Sequence, residues 1–567
     1  MTKGLRAVFA TAMAALLVGL TACSNGSTAT TPPAVGGTLV DLYAAVTLGA
    51  DPANPAGTTN DALSQLYDPL VTWGTTTTPE GLRKIDFSKP LGDLAQSWTV
   101  ANGVYTFKLR PGLLSCANNE FTSADVLWSY QRAKAVTGPT NNPYNILTAA
   151  HVFDGKAISK TATAADKTVG PEIAVVDKYT VKITTTPDTG TLIPQLVSPI
   201  VAPLDSTLAK AHATADDPWA YTWVGTNGAG FGPYCLGSFT ANQSLVLTAN
   251  KKWKGPFVPY FQTVKMNVVP QSANRLAALQ SGDAQIAQGL TRDQYKSLDA
   301  APTGPAHVIN NFGSLNVQFR LDYKFKSWGP NGDAKAAMVR QAVAYAIPYD
   351  QVVKDGLGGY GKIMNSVIPT SFPNAKTYPN LGVTDLTKAK DLMTQAGYPN
   401  GQGFPTDGLK ISFASEQSDT WQPIATIIQQ ALDKIGIKIE LAPIPAAQFN
   451  TQASVARTLP MALTSGGSGT YDVSFYMNLW FKSKENGGTQ GIDNYSNPAL
   501  DKLVDQALAL PSGAARDALA VQMQDIVAKD LPIIAIAGQP GQAAISSKVK
   551  NVQLGNVGAY YAAVHAA

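Results

Sequence analysis

The chain has 567 residues and a formal net charge of +4, and only 14% of its residues are charged. A chain of this length exceeds what one hydrophobic core usually serves, so we expect two or three lobes. Hydrophobic residues make up 45% and the mean hydropathy is −0.03, values typical of a soluble globular body. The sequence has no basic cluster of the kind that nucleic-acid-binding proteins carry, which argues against that class.

The first residues have the pattern of an export signal. Lys3 and Arg6 precede an apolar stretch over residues 7–20, which is too short for a transmembrane helix of about 20 residues. The stretch ends in Leu-Thr-Ala-Cys, which resembles the lipobox of bacterial lipoproteins. We therefore predict a signal peptide over residues 1–22 and lipidation of Cys23, which would anchor the protein on the extracytoplasmic face of the cell membrane. A signal peptide without lipid attachment is the alternative.

The composition of residues 23–37 predicts a flexible tether, since these residues are mostly small and polar, include two prolines and have almost no apolar side chains to bury. Folded sequence is expected to begin near Thr38. Lipidation of Cys23 would leave Cys116 and Cys235 in an oxidising compartment, where a disulfide can persist. We predict that these two residues are bridged, and two separate buried thiols are the alternative.

Strand-like and helix-like segments then alternate along the chain. Residues 104–109 alternate with period two, and a helix begins after Thr122 or Ser123 as its cap. The later predicted elements are a strand at 179–184, helices at 339–347 and 389–396, a helix at 418–435 capped by Ser418 or Asp419, and a strand at 437–441. Alternation over several hundred residues predicts α/β lobes with mixed sheets.

The usual signatures of catalysis and cofactor binding are missing from the sequence. The four histidines are far apart, and HExxH, CxxC, Walker and GxSxG motifs do not occur. Residues 356–361 match GxGxxG but follow a predicted helix, whereas a dinucleotide site needs this motif after a strand. We predict no metal, no cofactor and no catalytic residue. A surface hydrolase with a carboxylate pair is the second hypothesis, because spacing alone does not exclude such a pair.

A set of short segments, spread in a shared order over nearly the whole mature chain, carries a family resemblance. The segments are 65–71, 93–98, 105–112, 121–126, 232–234, 274–283, 339–347, 396–399, 495–503 and 530–532. Together they resemble the bacterial extracellular solute-binding proteins of family 5, the receptors of oligopeptide, dipeptide and nickel ABC importers. The resemblance implies a monomeric, non-enzymatic receptor that encloses a small solute and delivers it to an ABC permease.

The resemblance also implies a fold of the periplasmic-binding-protein type II, with two α/β lobes joined by a hinge and an extra subdomain inserted in the first. Lobe I would comprise residues 38–72, 200–305 and 525–567, and the inserted subdomain residues 73–199. Lobe II would comprise residues 306–524. Closure of the lobes over a solute would remove it from water on both sides.

Ligand-binding residues follow from the same resemblance. Peptide-binding members often carry an acid three positions after the tryptophan of a Gly-Trp pair, and the matching stretch is residues 477–483, where Ser483 replaces the acid. Another acid, Glu485 or Asp472, would then neutralise a ligand ammonium, or the ligand is an oligosaccharide or other solute without a free amine. The residues predicted to contact the ligand are Trp480, Asn478, Tyr43, Ser483 and Glu485. A role for Trp480 in filling core space is the alternative.

Overall fold

The computed structural model describes the chain in stretches, and every structural statement below refers to them. They are residues 36–46, 48–53, 59–136, 142–153, 172–188, 190–313, 315–325, 328–329, 333–405, 408–468, 471–483, 493–511, 513–554 and 559–567. The predicted signal peptide, Cys23, most of the predicted tether and Glu485 lie outside these stretches. Within them, no helix combines the length and the apolar character needed to cross a membrane.

Strands and short helices alternate as the sequence predicts. The strands are β1 (Gly36–Tyr43), β2 (Val71–Thr77), β3 (Arg83–Gly92), β4 (Ala95–Ala101), β5 (Val104–Leu109), β6 (Ile173–Asp177), β7 (Thr180–Thr184), β8 (Tyr234–Thr240), β9 (Ser244–Ala249), β10 (Phe261–Val268), β11 (Ile286–Gln288), β12 (Ala306–Asn311), β13 (Asn316–Leu321), β14 (Lys362–Ile363), β15 (Lys410–Ala414), β16 (Glu440–Ile444), β17 (Met461–Gly466), β18 (Ile533–Gly538), β19 (Gly541–Ser546), β20 (Val549–Lys550) and β21 (His565–Ala566).

The helices are α1 (Thr59–Leu66), α2 (Ser123–Ala135), α3 (Asn142–Ala149), α4 (Leu192–Gln195), α5 (Ser206–Ala211), α6 (Tyr221–Asn227), α7 (Ser272–Ser281), α8 (Arg292–Asp299), α9 (Ala334–Ala346), α10 (Tyr349–Gln351), α11 (Leu386–Gln395), α12 (Ser418–Asp433), α13 (Ala446–Asn450), α14 (Val473–Trp480), α15 (Pro498–Leu508) and α16 (Ala514–Asp530). Three sheets of four or more strands organise these elements into a first lobe, an inserted subdomain and a second lobe.

The first lobe is built on a seven-stranded mixed sheet with the order β12-β19-β11-β1-β10-β9-β8. Its central strand β1 runs parallel to β10 and β11, so that Leu39 pairs with Val264. Both of these side chains are fully buried in a core that also holds Trp219 and Tyr561. Parallel pairing needs long connections, which explains why this sheet collects strands from both ends of the chain.

The second lobe is built on a six-stranded mixed sheet with the order β14-β18-β13-β17-β15-β16. The apolar stripe of α12, including Ile424 and Ile428, is buried in this core, as its 3.6-residue period predicts. The predicted cap is wrong, because Gln417 occupies the N-cap position and a 3₁₀ turn precedes it. Ser418 and Asp419 therefore lie inside the first turn of the helix.

The inserted subdomain contains the four-stranded sheet β4-β5-β7-β6 and the two-stranded sheet β2-β3. It has its own hydrophobic core, with Phe107, Phe121 and Tyr130 fully buried. The structure joins Cys116 of this subdomain to Cys235 on β8 of the first lobe by a disulfide with a Cα–Cα distance of 5.7 Å. The subdomain is thus covalently attached to the first lobe in addition to its two chain connections.

The lobe boundaries differ from those predicted. Residues 306–311 form β12, which pairs with β19 in the sheet of the first lobe, whereas the sequence analysis assigned them to lobe II. Residues 525–538 complete α16 and form β18, which pairs with β13 in the second lobe, whereas they were assigned to lobe I. The chain thus crosses between the lobes at residues 312–315 and 539–540. The predicted boundaries were wrong because these pairings join strands more than 200 residues apart, which no local pattern reports.

Candidate functional site

A cavity of about 310 Å³, called the interlobe cavity below, lies where the first lobe, the inserted subdomain and the second lobe meet. Residues within the segments 64–75, 83–93 and 553–560 line one side of it. The rest is lined by the end of β12 and the two residues after it (310–313), by Val197 and Pro199, and by Lys362 and Tyr471 of the second lobe. This volume is at the lower end of the range for ligand-binding pockets and suits a small solute.

One wall of the interlobe cavity is organised around Arg83, at the start of β3. Its guanidinium lies 4.4 Å from the ring centre of Phe257 and 5.1 Å from that of Tyr560. Its Nη1 donates to Gln553 at 2.9 Å, and its Nε donates to the Thr75 hydroxyl at 3.2 Å. Burial lowers the pKa of Arg83, and its interactions with Tyr560, Asp68 and Asp93 oppose that shift.

The floor of the interlobe cavity holds two aspartates, Asp68 and Asp93, which are 0% and 3% exposed. Asp68 follows α1, and its backbone N–H donates to the carbonyl of Phe231 at 2.8 Å. Asp93 lies in the turn between β3 and β4, and its N–H donates to the carbonyl of Leu70 at 3.1 Å. These backbone bonds bring together two carboxyl groups that are 25 positions apart in the sequence.

Burial raises the pKa of both carboxyl groups of this pair, that of Asp68 well above its usual range and that of Asp93 to about 7. After burial, the negative charge of Asp93 is the next contribution to the raised pKa of Asp68, and the Tyr560 hydroxyl lies 3.3 Å from both oxygens of Asp68. Two neighbouring carboxylates in a dry site cannot both ionise without a compensating cation.

Cationic side chains stand at other points of the same cavity. The Lys362 ammonium lies 4.3 Å from the ring centre of Phe312, so this lysine of the second lobe rests on an aromatic residue of the crossing segment. Lys84 of the inserted subdomain is exposed at the cavity. The interlobe cavity therefore presents acidic groups on its floor and ammonium groups on its walls, an arrangement that complements a dipolar solute.

Of the predicted ligand-contacting residues, the four that the structure describes are not among those lining this cavity. Trp480 on α14 is buried in the second lobe, where its indole N–H donates to the carbonyl of Gly467 at 2.9 Å and Arg320 covers its ring at 4.5 Å. Asn478 lies on the same helix and is not among the residues that line the cavity. Ser483 is fully buried, with its N–H donating to Asp501 at 2.9 Å and its hydroxyl to Ser496 at 3.1 Å.

Tyr43 and Asp472 also have structural partners. The Tyr43 hydroxyl donates to Asp61 at 2.6 Å and lies 2.8 Å from the Tyr561 hydroxyl, inside the core of the first lobe. Asp472 caps α14 by accepting the N–H of Phe475 at 2.7 Å, and it pairs with Arg516 at 2.9 Å. Both contacts are made by Oδ1 of Asp472, one of the two acids predicted as alternative ammonium anchors. Glu485, the other acid considered, lies outside the described residues.

Sequence reasoning missed Asp68 and Asp93 as site residues, although both fall within segments that carried the family resemblance. No local signal marks them, since each is a single acid at the end of an element. The described residues contain no group of three or more metal-ligating side chains. Residues 356–361 end a helical turn and lead into β14, so the GxGxxG match lies in a helix-to-strand context rather than the strand-to-helix context of a dinucleotide site.

The chain is similar to known solute-binding proteins in sequence and in fold. The family described as "Bacterial extracellular solute-binding proteins, family 5 Middle" matches residues 89–488. The probable D,D-dipeptide-binding periplasmic protein DdpA of Escherichia coli K12 is 27% identical over 81% of this chain and 81% of its own length. The glutathione-binding protein GsiB of Shigella boydii is 26% identical over 80% of this chain and 82% of its own length.

Solved structures share the fold at lower identity. The periplasmic binding protein DppA of Helicobacter pylori, solved with the peptide STSA, superposes with a TM-score of 0.74 at 23% identity, over 94% of this chain and 98% of the other. The dipeptide-binding protein of Pseudoalteromonas sp. SM9913, solved with Met-Leu, gives a TM-score of 0.74 at 19% identity, over 94% and 100%. With a family match over 400 of its 567 residues, the chain belongs to the bacterial extracellular solute-binding proteins of family 5.

Proposed function

We propose that this protein is the solute receptor of an ABC importer and that it binds a peptide-like solute in the interlobe cavity. The observation that carries this proposal is a cavity lined by both lobes, with carboxyl groups on its floor and lysines on its walls. A small peptide carries an ammonium and a carboxylate, so it matches charges of both signs. The relatives DdpA and GsiB, whose names give dipeptide and glutathione as ligands, support the same class.

Ligand capture would use the two crossing segments at residues 312–315 and 539–540 as a hinge. A solute shifts a hinge equilibrium only by as much as it binds one state better than the other. In the interlobe cavity, Lys362 and Tyr471 come from the second lobe and Asp68 from the first, so only a closed arrangement lets one solute contact all three. Ligand binding would therefore favour closure, and the closed form would dock on the permease.

We also propose that the receptor acts as a monomer held on the outer face of the cell membrane by lipid on Cys23. The lipobox-like sequence Leu-Thr-Ala-Cys supports this part of the proposal. Several acyl chains on one cysteine would anchor the protein firmly, at roughly 0.8 kcal/mol for each buried CH₂ group. A Cys23→Ser variant is expected to leave the membrane fraction while keeping the solute affinity of the unmodified protein.

Native mass spectrometry of the full chain, extracted from its host in mild detergent, tests the solute class. We expect one added mass per chain in the range of a small peptide, released unaltered on denaturation. Titration with free dipeptides, acetylated dipeptides and oligosaccharides then ranks the classes by affinity. An oligosaccharide that binds while every peptide fails would overturn the ligand assignment, and steady conversion of a bound compound would favour the hydrolase hypothesis.

Pulsed electron spin resonance tests closure. Val258 in the first lobe and Val455 in the second are 68% and 69% exposed, so Val258→Cys and Val455→Cys place spin labels on the two lobes with little effect on packing. We expect the distance between the labels to shorten when a bound dipeptide is added. An unchanged distance at saturating peptide would contradict a mechanism based on closure.

A further inference from the structure

In the pair formed by Asp68 and Asp93, one carboxylate oxygen lacks a hydrogen-bond partner among the described residues. Asp93 is nine-tenths buried and lines the interlobe cavity, yet its Oδ1 accepts no hydrogen bond from any described residue. Native proteins satisfy most buried polar atoms, so an unsatisfied carboxylate oxygen on a residue that lines a cavity needs an explanation. A donor supplied by a ligand would complete the pair.

The nearby cations do not supply that donor. Arg83 directs its Nη1 and Nε to Gln553 and Thr75, and its guanidinium lies near two aromatic rings. Arg110, the other arginine near Asp93, donates from Nε to the backbone carbonyl of Asp93 at 2.6 Å rather than to its carboxylate. Lys84 and Lys362 line the cavity as well, and Lys362 rests on the Phe312 ring.

We propose that Asp68 and Asp93 form a proton-sharing carboxylate pair that receives the cationic group of the solute and releases one proton when that group binds. This proposal rests on the proposed receptor function and names its ammonium subsite. Before binding, the pair holds one proton between its two carboxyl groups and carries a charge of about −1. When an ammonium or guanidinium enters, it donates hydrogen bonds to Asp93, the shared proton passes to water, and the pair becomes doubly ionised.

The charges facing the pair agree with this exchange. Arg83 and Arg110 are the permanent cations near the pair, and the neutral Tyr560 hydroxyl donates to Asp68. Because one ligand cation replaces one proton, the net charge of the pair and its surroundings is the same before and after binding. Lys84 and Lys362 remain available for the anionic end of the same solute. The raised pKa of both aspartates supports a proton on the pair at neutral pH.

Isothermal titration calorimetry of the full chain at pH 7 measures the released proton directly. The probes are the dipeptide Ala-Ala and its N-acetylated form, titrated in phosphate and in Tris, two buffers with different ionisation enthalpies. We expect about one proton released per Ala-Ala bound and none for the acetylated form. The affinity for Ala-Ala should rise by up to about tenfold per unit between pH 5.5 and 7, a range in which the peptide amine stays charged.

The variants Asp93→Asn and Asp68→Asn test whether these two residues bind the solute cation and release the proton. Each keeps the size of the side chain, and we expect each to weaken Ala-Ala at least tenfold and to abolish proton release, with the acetylated dipeptide unaffected. Asp177→Asn, at an exposed acid of the inserted subdomain, is the matched control and should change neither quantity. Thermal melting of each variant confirms that it is folded, and the proton count on the unmodified protein needs no variant.

Four results would be decisive against the pair. Binding of Ala-Ala without proton release, or with unchanged affinity in both aspartate variants, would overturn this subsite and leave the receptor function standing. Equal affinity for the free and acetylated dipeptides would do the same. Failure of every dipeptide, free or acetylated, to bind the unmodified protein would overturn the peptide-receptor function together with the subsite.

Discussion

Two buried aspartate sites of the fold differ in how completely their oxygen atoms are hydrogen-bonded. Asp51 and Arg132 form an ion pair in which Nη1 donates to Oδ1 at 3.0 Å and Nη2 donates to Oδ2, while the N–H of Ala53 donates to Oδ1 at 2.8 Å. Asp68 and Asp93 are equally buried but face each other and a cavity. The first carboxylate has a partner for each oxygen, and the second site has an oxygen without one.

This difference separates a structural role from a binding role better than residue type or burial does. A buried charge with complete partners supports the fold, because removing either partner leaves the other uncompensated. A buried acid with an unsatisfied oxygen at a cavity is costly in the unliganded protein, and a ligand can relieve that cost. The four predictions that follow test this distinction.

The largest effect is expected from Arg132→Met, which removes the cation from the complete pair. Asp51 would then be a buried charge without compensation, so the free energy of unfolding should fall by about 3–5 kcal/mol. Urea denaturation followed by circular dichroism measures the loss. Peptide affinity of the remaining folded protein should be unchanged, and a variant as stable as the original would show that the complete pair contributes little.

A smaller loss is expected from Trp480→Phe. The change removes the indole N–H bond to Gly467 and leaves a small void beside Arg320, which together should cost about 2 kcal/mol. Because Trp480 is a core residue of the second lobe, calorimetry should find the dipeptide affinity unaltered. A variant of normal stability that binds dipeptides at least tenfold more weakly would instead restore Trp480 as a contact residue.

The pH dependence of stability should distinguish Asp93→Asn from the original chain. Burial raises the pKa of Asp93 to about 7 from an unfolded value near 4, so the folded state holds a proton that the unfolded state has lost. The contribution of this proton to the free energy of unfolding is complete below about pH 4 and is lost as the pH rises through 7.

Each unit of pKa shift corresponds to about 1.4 kcal/mol, so the unliganded original chain should lose at least about 1 kcal/mol between pH 5 and 8 through this group. Denaturation series at several pH values should give a shallower slope for Asp93→Asn. Equal slopes for the two proteins would contradict a protonated Asp93 in the folded state.

The smallest effect is expected at an exposed ion pair, which serves as a reference for the buried ones. Lys410 and Glu440 are 3.0 Å apart on neighbouring strands β15 and β16, and both are largely exposed. Lys410→Ala should change the free energy of unfolding by less than about 1 kcal/mol, because water screens the pair. A loss comparable to that of Arg132→Met would show that burial does not set the scale of these effects.

Local patterns predicted individual elements correctly where a repeating interaction decides the outcome. The stripe of α12 is an example, because burying one face of a helix imposes its period on the sequence. Its N-terminal cap was predicted wrongly, because Ser418 is a good capping residue but the chain continues helically before it. The pairing of β1 with β10 could not be predicted from the sequence, since the two strands are more than 200 residues apart.

The sequence alone determined the family, the two-lobed α/β fold and the solute-receptor class, because these depend on periodicity and on motifs spread along the chain. Only the tertiary structure decided which side chains surround the interlobe cavity. It buried Trp480 and Tyr43 in the cores and placed Asp68 beside Asp93, 25 positions later in the chain. The physical reason is that a binding site is made by long-range packing, which sets the surroundings of each side chain and leaves no local period in the sequence.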